Sequence, residues 1–201
     1  MDLLVKICGL TTPECVRAAI EAGADAIGFV FHAPSPRNLE PARAAELARD
    51  LPVSMLRVAV TLNPDQTLID AVLSSFTPDI WQSDAADLDA IHLTAGIVRW
   101  PVWRSGASTR DALPPRLLFE AQRSGVSAKA DWHAAARLAR RSELILGGGL
   151  DAANVAAAIA TVRPFGVDVS SGVERAPGIK DPAMIRAFVA AARAAKRRMT
   201  A

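Results

Sequence analysis

The sequence predicts a compact single-domain (β/α)8 barrel over residues 1–201. Eight short apolar segments alternate with helical or helix-like segments along the whole chain. The strand segments are almost continuously apolar, as in 26–30, which is typical of a parallel sheet buried on both faces. No change of composition marks a linker between two domains. A chain of 201 residues places the barrel near the lower end of the size range of this fold.

A doubly wound open sheet is the alternative fold class. Such a sheet usually has a glycine-rich phosphate turn after its first strand, where this chain has Cys8, Gly9, Leu10 and Thr11. This difference favours the barrel.

The elements follow in order from hydrophobic periodicity and from turn residues. The predicted strands are 3–8, 24–30, 55–60, 79–82, 98–104, 116–120, 143–147 and 165–170. The predicted helices are 13–22, 41–51, 64–75, 85–92, 132–140, 151–161 and 182–195, with a weak turn at 108–112 and a loop at 121–131. The last helix is amphipathic, because its apolar residues recur at i, i+3, i+4 and i+7.

Composition excludes several classes of function. The chain is 51% hydrophobic and 22% charged with a net charge of +2, and its basic residues are scattered, so nothing indicates nucleic-acid binding. The basic run 193–198 is interpreted as a solvated face at the end of the last helix. No apolar stretch is long enough to span a membrane, and the N-terminus does not resemble a signal peptide. We therefore expect a cytoplasmic protein without a membrane partner.

Cysteine and histidine usage indicates neither a disulfide nor a metal site. Cys15 falls within the first predicted helix and is interpreted as a small core residue. The three histidines stand far apart in the sequence, so no cluster has the spacing of metal ligands.

The first strand ends in a thiol. Alternation places Lys6 and Cys8 on one face, so the ammonium group could favour the thiolate form of Cys8. Alternation also places Asp168 inward on strand eight. An internal ion pair between Lys6 and Asp168 is the other interpretation of Lys6, and both can hold at once.

The carboxyl ends of the strands should form the active site, as in other barrels of this type. Gln82 ends strand four and is counted among the candidate substrate contacts. Two neighbouring strand ends carry glycines and hydroxyl groups that suit a phosphate. These candidates are Gly148 and Gly149 after strand seven, and Ser170, Ser171 and Gly172 after strand eight. Two ordinary tight turns are the alternative interpretation.

With these motifs, the chain resembles the phosphoribosylanthranilate isomerase family of tryptophan biosynthesis over essentially its whole length. The segments that carry the resemblance are KICGL at 6–10, GADAIGFVF at 23–31, PSPR at 34–37, GGL at 148–150 with NV at 154–155, and RPFGVDVSSGVE at 163–174. The resemblance implies an Amadori rearrangement of an N-linked ribosyl phosphate, without metal or cofactor. The partner is then a small phosphorylated substrate, and a monomer is expected rather than a homodimer.

The resemblance also implies residue roles. Cys8 matches the general base, which removes a proton from C2 after an acid has opened the sugar ring. Arg37 matches the residue that clamps the anthranilate carboxylate, a task suited to a two-pronged guanidinium. Asp168 matches a position that faces the substrate, where it would hold a sugar hydroxyl.

Two strand ends depart from the family pattern. Where the family ends strand six with an aspartate as general acid, this chain has Glu120, whose extra methylene shifts the carboxyl group. Where the family usually has Gln-Leu-His-Gly on strand four, this chain has QSDA at 82–85. Asp84 is interpreted first as a helix N-cap and second as a reserve candidate for the acid. The family's glycine-rich run after strand six is also reduced, to GVSA at 125–128.

Three hypotheses follow. The first is an active isomerase of this family with Cys8 as base and Glu120 as acid. The second is another sugar-phosphate isomerase or epimerase, for which a carboxylate clamp at Arg37 would have no purpose. The third is a phosphate-ligand binding protein whose catalysis has decayed through the changes on strands four and six.

Overall fold

The computed structural model describes residues 3–106, 113–121 and 130–200. The turn expected at 108–112 and most of the loop expected at 121–131 lie outside these residues. Eight parallel strands close into a barrel in the order of the chain, with β1 hydrogen-bonded to β8, so the predicted fold class is confirmed. The strands are β1 (Leu4–Cys8), β2 (Ala26–Phe31), β3 (Leu56–Thr61), β4 (Ile80–Asp84), β5 (Val98–Arg104), β6 (Arg116–Glu120), β7 (Glu143–Leu146) and β8 (Gly166–Val169).

Helices follow most of the strands and cover the outside of the barrel. They are α1 (Pro13–Ala22), α2 (Pro41–Ala48), α3 (Gln66–Ser75), α4 (Ala85–Ala90), α5 (Trp132–Leu138), α6 (Val155–Val162) and α7 (Pro182–Thr200). Local chemistry sets their ends: in α1, Thr12 accepts a hydrogen bond from the Cys15 amide at 3.3 Å and Gly23 closes the helix with φ at 82°. No helix in the described part of the chain is both long and apolar enough to cross a membrane.

The predicted strand boundaries agree with the structure to within two residues, and the differences elsewhere have local causes. The helix expected to begin at 151 begins at Val155, because the Asp151 carboxylate accepts hydrogen bonds from the amides of Ala153 and Asn154, both at 2.8 Å, and holds a turn. After β8 the structure adds a 3-10 turn (Ser171–Val173) and a hairpin of β9 (Glu174–Ala176) and β10 (Ile179–Lys180). This hairpin was not predicted.

The core has two layers. Alternation along each strand sends one set of side chains toward the helices and the other into the barrel. On β1, Val5 and Ile7 pack against the helices, whereas Leu4 joins the interior cluster. The other interior residues are Ala26, Val58, Ile80, Trp100, Val102, Leu118 and Ile145. Lys6 and Cys8 share the parity of Leu4, so the predicted common face of these two residues is confirmed.

The basic run at the end of α7 is only partly a solvated face. The Arg193 guanidinium donates hydrogen bonds to the carbonyls of Leu3 and Gly23 and to the Asp25 carboxylate, the last two at 2.7 Å. The interpretation of Arg193 as a solvated charge was therefore wrong. This side chain joins the last helix to the chain segments that enter β1 and β2.

We expect Arg193→Ala to lower the free energy of unfolding by about 1–3 kcal/mol, because two carbonyls and a carboxylate lose a charged donor. Chemical denaturation followed by circular dichroism measures this change. Arg186→Ala is the control, because Arg186 is an exposed arginine on the same helix. Equal stability of the two variants would contradict the anchoring role of Arg193.

Candidate active site

A cavity of about 740 Å³ opens at the carboxyl ends of the strands. Most of its lining residues come from strand ends or from the loops that follow them. The predicted site residues on its wall are Cys8, Arg37, Gln82, Glu120, Asp168, Ser170 and Ser171. The fold therefore brings residues from β1, β2, β4, β6 and β8 to one cavity, as the strand-end argument predicted.

Cys8 lies at the end of β1, beside Gly28 of β2. A Cβ atom added to Gly28 would lie 3.0 Å from the Cys8 sulfur and 3.2 Å from Lys6 Nζ. Glycine is therefore the residue that leaves room for the thiol and the ammonium group side by side. The thiol is buried but reaches the cavity wall.

Lys6 lies one pleat below Cys8 and is 0% exposed. Its Nζ donates a hydrogen bond to Asp168 Oδ1 at 2.7 Å, so the predicted internal ion pair is present. Lys6 is not among the described residues that line the cavity. The expectation that Lys6 contacts the substrate is corrected accordingly: its ammonium group lies beneath the site and is already held by Asp168.

Burial and charge act in opposite directions on these two groups. Burial raises the pKa of the Cys8 thiol above its ordinary value, although the nearby Lys6 and Lys180 ammonium groups lower it in part. Burial would lower the pKa of Lys6, but the Asp168 carboxylate, together with the Cys8 thiolate when it forms, raises it. Lys6 is therefore charged at neutral pH, and burial opposes ionisation of the Cys8 thiol.

Two carboxylates stand at the ends of β4 and β6 with an arginine between them. Arg104 of β5 donates through Nη1 to Glu120 Oε1 and through Nη2 to Asp84 Oδ1. Its Nε also lies 3.4 Å from Asp84 Oδ2. Burial would lower the pKa of Arg104, but its two acidic partners raise it, so the guanidinium stays charged. Arg104 thus joins the carboxylates at the ends of β4 and β6, the two strands that flank β5.

Asp84 occupies the N-cap position of α4, but its side chain makes no capping hydrogen bond. The predicted N-cap position of Asp84 is therefore confirmed, but its side chain does not do the capping. The Arg104 guanidinium binds this carboxylate instead, and a charged donor is a stronger partner than a backbone amide. Sequence reasoning gave Arg104 no role, although its place between two acidic strand ends was a usable signal.

Arg37 belongs to a second charged cluster, on the loop after β2. Its Nε and Nη2 donate to the two oxygens of Glu174, at 2.7 and 2.8 Å. Lys180 Nζ donates to Glu174 Oε1 at 2.7 Å and to the Ser170 carbonyl at 2.8 Å. Burial would raise the pKa of Glu174, but Arg37 and Lys180 hold it below its usual range. Sequence reasoning assigned no role to Glu174 or Lys180.

The buried Gln82 side chain has an unsatisfied acceptor. Gln82 is 5% exposed, and its Oε1 has no hydrogen-bond partner among the described residues. Leaving a buried acceptor unpaired is unfavourable. Since Gln82 lines the cavity, a donor group of a bound ligand would satisfy this oxygen.

The expected phosphate residues are only partly on the cavity wall. Ser170 and Ser171 line it, whereas Gly148, Gly149 and Gly172 are not among the described lining residues. Gly148 and Gly149 both have positive φ, 83° and 67°, and Gly172 lies in the 3-10 turn after β8. Left-handed backbone at two successive residues suits glycine.

Comparison with known proteins decides the family. Residues 5–191 match the family model described as N-(5'phosphoribosyl)anthranilate (PRA) isomerase. An N-(5'-phosphoribosyl)anthranilate isomerase of Bradyrhizobium sp. is 41% identical over 98% of both chains. The chain belongs to the phosphoribosylanthranilate isomerase family.

Solved structures of this family share the fold of the chain. One is a phosphoribosyl anthranilate isomerase in complex with reduced 1-(o-carboxyphenylamino)-1-deoxyribulose 5-phosphate, with a TM-score of 0.76 and 31% identity over 96% of this chain and all of that one. Another is a monomeric form of the dimeric enzyme from Thermotoga maritima, with a TM-score of 0.79 and 32% identity over 96% of this chain and all of that one.

The Cys8 thiol of this family member should ionise at a higher pH than an ordinary thiol, whose pKa is about 8.5. In a Cys15→Ala background, the ultraviolet absorbance of the thiolate is expected to rise only above that pH, because burial raises the pKa of Cys8. Replacing the ion pair by Lys6→Met with Asp168→Asn should move the midpoint higher still, because Lys6 lowers the pKa of Cys8 more than Asp168 raises it. A midpoint below that of a free thiol would contradict this account.

Proposed function

We propose that this chain catalyses the Amadori rearrangement of N-(5-phosphoribosyl)anthranilate to 1-(2-carboxyphenylamino)-1-deoxyribulose 5-phosphate in tryptophan biosynthesis. Membership of the family supports this reaction. The observation that carries the residue roles is that Cys8, at the end of β1, and Glu120, at the end of β6, line one cavity. An acid and a base on different sides of a bound sugar can act on different atoms of it.

The reaction needs a proton at one atom and removes a proton from another. Glu120, as a neutral carboxyl group, gives a proton to the furanose ring oxygen while the bond from C1 to that oxygen breaks, and the nitrogen lone pair forms the double bond of a protonated imine. Cys8, as a thiolate, takes the proton from C2, and the electron pair moves to give an enolamine. Tautomerisation of the enolamine to the ketone completes the isomerisation without a change in composition.

Arg104 sets a condition on the acid step. Arg104 Nη1 donates to Glu120 Oε1, so the Glu120 carboxyl group has to deliver its proton to the ring oxygen from beside a guanidinium group. Asp84 shares the same guanidinium and is the reserve candidate for this role.

Lys6 supports the base without contacting the substrate. Its cation lies beside the thiol and stabilises the thiolate against the cost of burial. Asp168 Oδ1 is engaged by Lys6, and Oδ2 has no hydrogen-bond partner among the described residues. We assign Asp168 Oδ2 to a sugar hydroxyl.

The remaining predicted residues hold the two ends of the substrate. The phosphate is assigned to the turns after β7 and β8, with Ser170 and Ser171 on the cavity wall. The aromatic carboxylate is assigned to Arg37, and Gln82 Oε1 is assigned to a donor on the substrate. These contacts span the cavity, so they orient the ribose between Cys8 and Glu120.

Substitution of the acid and base candidates tests the proposal. We expect Cys8→Ser and Glu120→Gln each to lower kcat by about 10²–10⁴-fold, the usual contribution of general acid or base catalysis. Asp84→Asn should have a smaller effect if Glu120 is the acid. Purified protein assayed for product formation gives these rates, and Cys15→Ala, which removes the other thiol, is the control that should keep the wild-type rate.

Complementation of a tryptophan auxotroph that lacks this isomerase separates the hypotheses. Rescue by the wild type and not by Cys8→Ala or Glu120→Ala supports the proposal. Rescue by Glu120→Ala without rescue by Asp84→Ala would transfer the acid role to Asp84. A wild type that fails to rescue but binds a reduced product analogue would be a decayed binding protein, whereas turnover of a different sugar phosphate would indicate the other isomerase.

We also propose that the enzyme acts in the cytoplasm as a monomer. The large apolar side chains most exposed in the described residues are Val53, Val98, Ile179, Met184 and Met199, which come from four parts of the chain. Extended apolar patches mark interfaces, and isolated exposed residues do not. Light scattering after size-exclusion chromatography should give the mass of one chain at micromolar concentration, and the mass of two chains would contradict the proposal.

A further inference from the structure

The Arg37 guanidinium group has one occupied edge and one open edge. Glu174 accepts from Nε and Nη2, which together form the side edge of the group. The N–H groups of Nη1 and the second N–H of Nη2 have no acceptor among the described residues. Arg37 also lines the cavity, although it is only 7% exposed. The open edge therefore remains for an anion in the cavity.

Glu174 is fixed in place, so a ligand would not displace it. Its oxygens accept hydrogen bonds from Arg37, from Lys180 at 2.7 Å and from the Gly178 amide at 3.2 Å. Its side chain is 4% exposed. Lys180 is anchored in turn by the carbonyl and the hydroxyl of Ser170, at 2.8 and 3.1 Å. Glu174 thus connects Arg37 to the strand end that carries the expected phosphate site.

The stem of Arg37 is held by packing as well. A Cβ atom added to Gly9 would lie 2.6 Å from Arg37 Cδ, so the arginine stem lies against the bare backbone of the turn after β1. A stem held on one side and a guanidinium held along one edge leave few rotamers. Pre-organisation of this kind lowers the entropic cost of binding an anion.

Charge in this cluster favours a carboxylate ligand. An isolated pair of Arg37 and Glu174 would be neutral and would attract an anion weakly. Lys180 binds the same Glu174 carboxylate, so the three ionised side chains together carry one excess positive charge. Lys180 itself is almost fully buried, and burial lowers its pKa despite the opposing effect of Glu174.

We propose that Glu174 is the positioning residue for substrate selectivity at this site: with Lys180, it holds Arg37 so that only the open edge is offered, and this edge selects substrates with a carboxylate on the aromatic ring. This inference rests on the proposed function, since it concerns the same reaction. Glu174 acts through Arg37 and is not itself a catalytic residue.

A merely structural role for Glu174 makes a different prediction. If Glu174 only stabilised the hairpin, its loss would lower the rates with all substrates in parallel. If it positions Arg37, its loss should lower the rate with a carboxylated substrate and spare a substrate that lacks the carboxylate. The ratio of the two rates separates the two roles.

The experiment compares kcat/KM for N-(5-phosphoribosyl)anthranilate and for N-(5-phosphoribosyl)aniline, which lacks the carboxylate. We expect Glu174→Gln to reduce the preference for the carboxylated substrate by about 10–100-fold, which corresponds to the loss of one charge-assisted hydrogen bond. Arg37→Ala should abolish the preference, and adding Glu174→Gln to Arg37→Ala should leave the ratio unchanged. Glu174→Asp should restore part of the preference, because it keeps the charge.

Asp79→Asn is the matched control. Asp79 forms a comparable two-pronged pair with Arg57, with distances of 2.8 and 3.0 Å, at residues that do not line the cavity. This variant should keep the wild-type preference. If Glu174→Gln does not fold, Lys180→Met tests the same point, because it removes the excess positive charge and should also lower the preference.

Each outcome decides the question. Parallel losses with both substrates, with an unchanged ratio, would overturn the inference and leave the proposed function intact. Absence of turnover by the wild type would overturn the proposed function instead. In that case calorimetry measures the affinities for the reduced product analogue with and without its carboxylate, and the ratio of these affinities replaces the ratio of rates. A ratio that does not differ between wild type and Glu174→Gln would again overturn the inference.

Discussion

The buried ion pair between Lys6 and Asp168 is the interaction on which the barrel and its site both depend. The two residues are register partners on β1 and β8, the strands that close the barrel. Two charges taken out of water are costly unless each keeps its partner, and removing one of them costs about 3–5 kcal/mol. The pair therefore fixes the register of the closing strands. It also fixes the ammonium group beside the Cys8 sulfur, because the two side chains fill the space that Gly28 leaves.

The charged groups at the cavity divide it into two sides. On one side Arg104 is bound by the carboxylates of Asp84 and Glu120. On the other side Arg37 and Lys180 share Glu174, with an excess positive charge. A positive side favours the anionic part of a ligand. The charge on the Arg37 side thus suits a substrate that carries a carboxylate.

Most of the fold and most of the wall of the site could be predicted from the sequence, because both depend on short-range patterns. Short apolar runs between helical segments located all eight strands, and period-two alternation placed Lys6, Cys8 and Asp168 inward. The rule that barrel strands end at the active site then placed Gln82 and Glu120 on the cavity wall. Neither step needs knowledge of contacts between distant parts of the chain.

The partners of the charged side chains could not be predicted in the same way. Arg37 and Glu174 are 137 residues apart in sequence, and no local pattern joins them. Asp84 was interpreted from its neighbours as a cap, but Arg104 on the next strand competes successfully for its carboxylate. The hairpin that carries Glu174 and Lys180 has strands of three and two residues, which are too short to show periodicity.

Arg104 binds both of the carboxylates at which the chain departs from the family pattern. Considered singly, Glu120 and Asp84 each weaken the resemblance, since one is longer than the expected acid and the other replaces a different residue. Arg104 is the register partner of Glu120 and reaches Asp84 on the opposite neighbouring strand. The Asp84 carboxylate at β4 is therefore bound by the same guanidinium group that binds the Glu120 carboxylate at β6. The position of the Glu120 carboxylate is thus set by Arg104 as well as by the extra methylene of its own side chain.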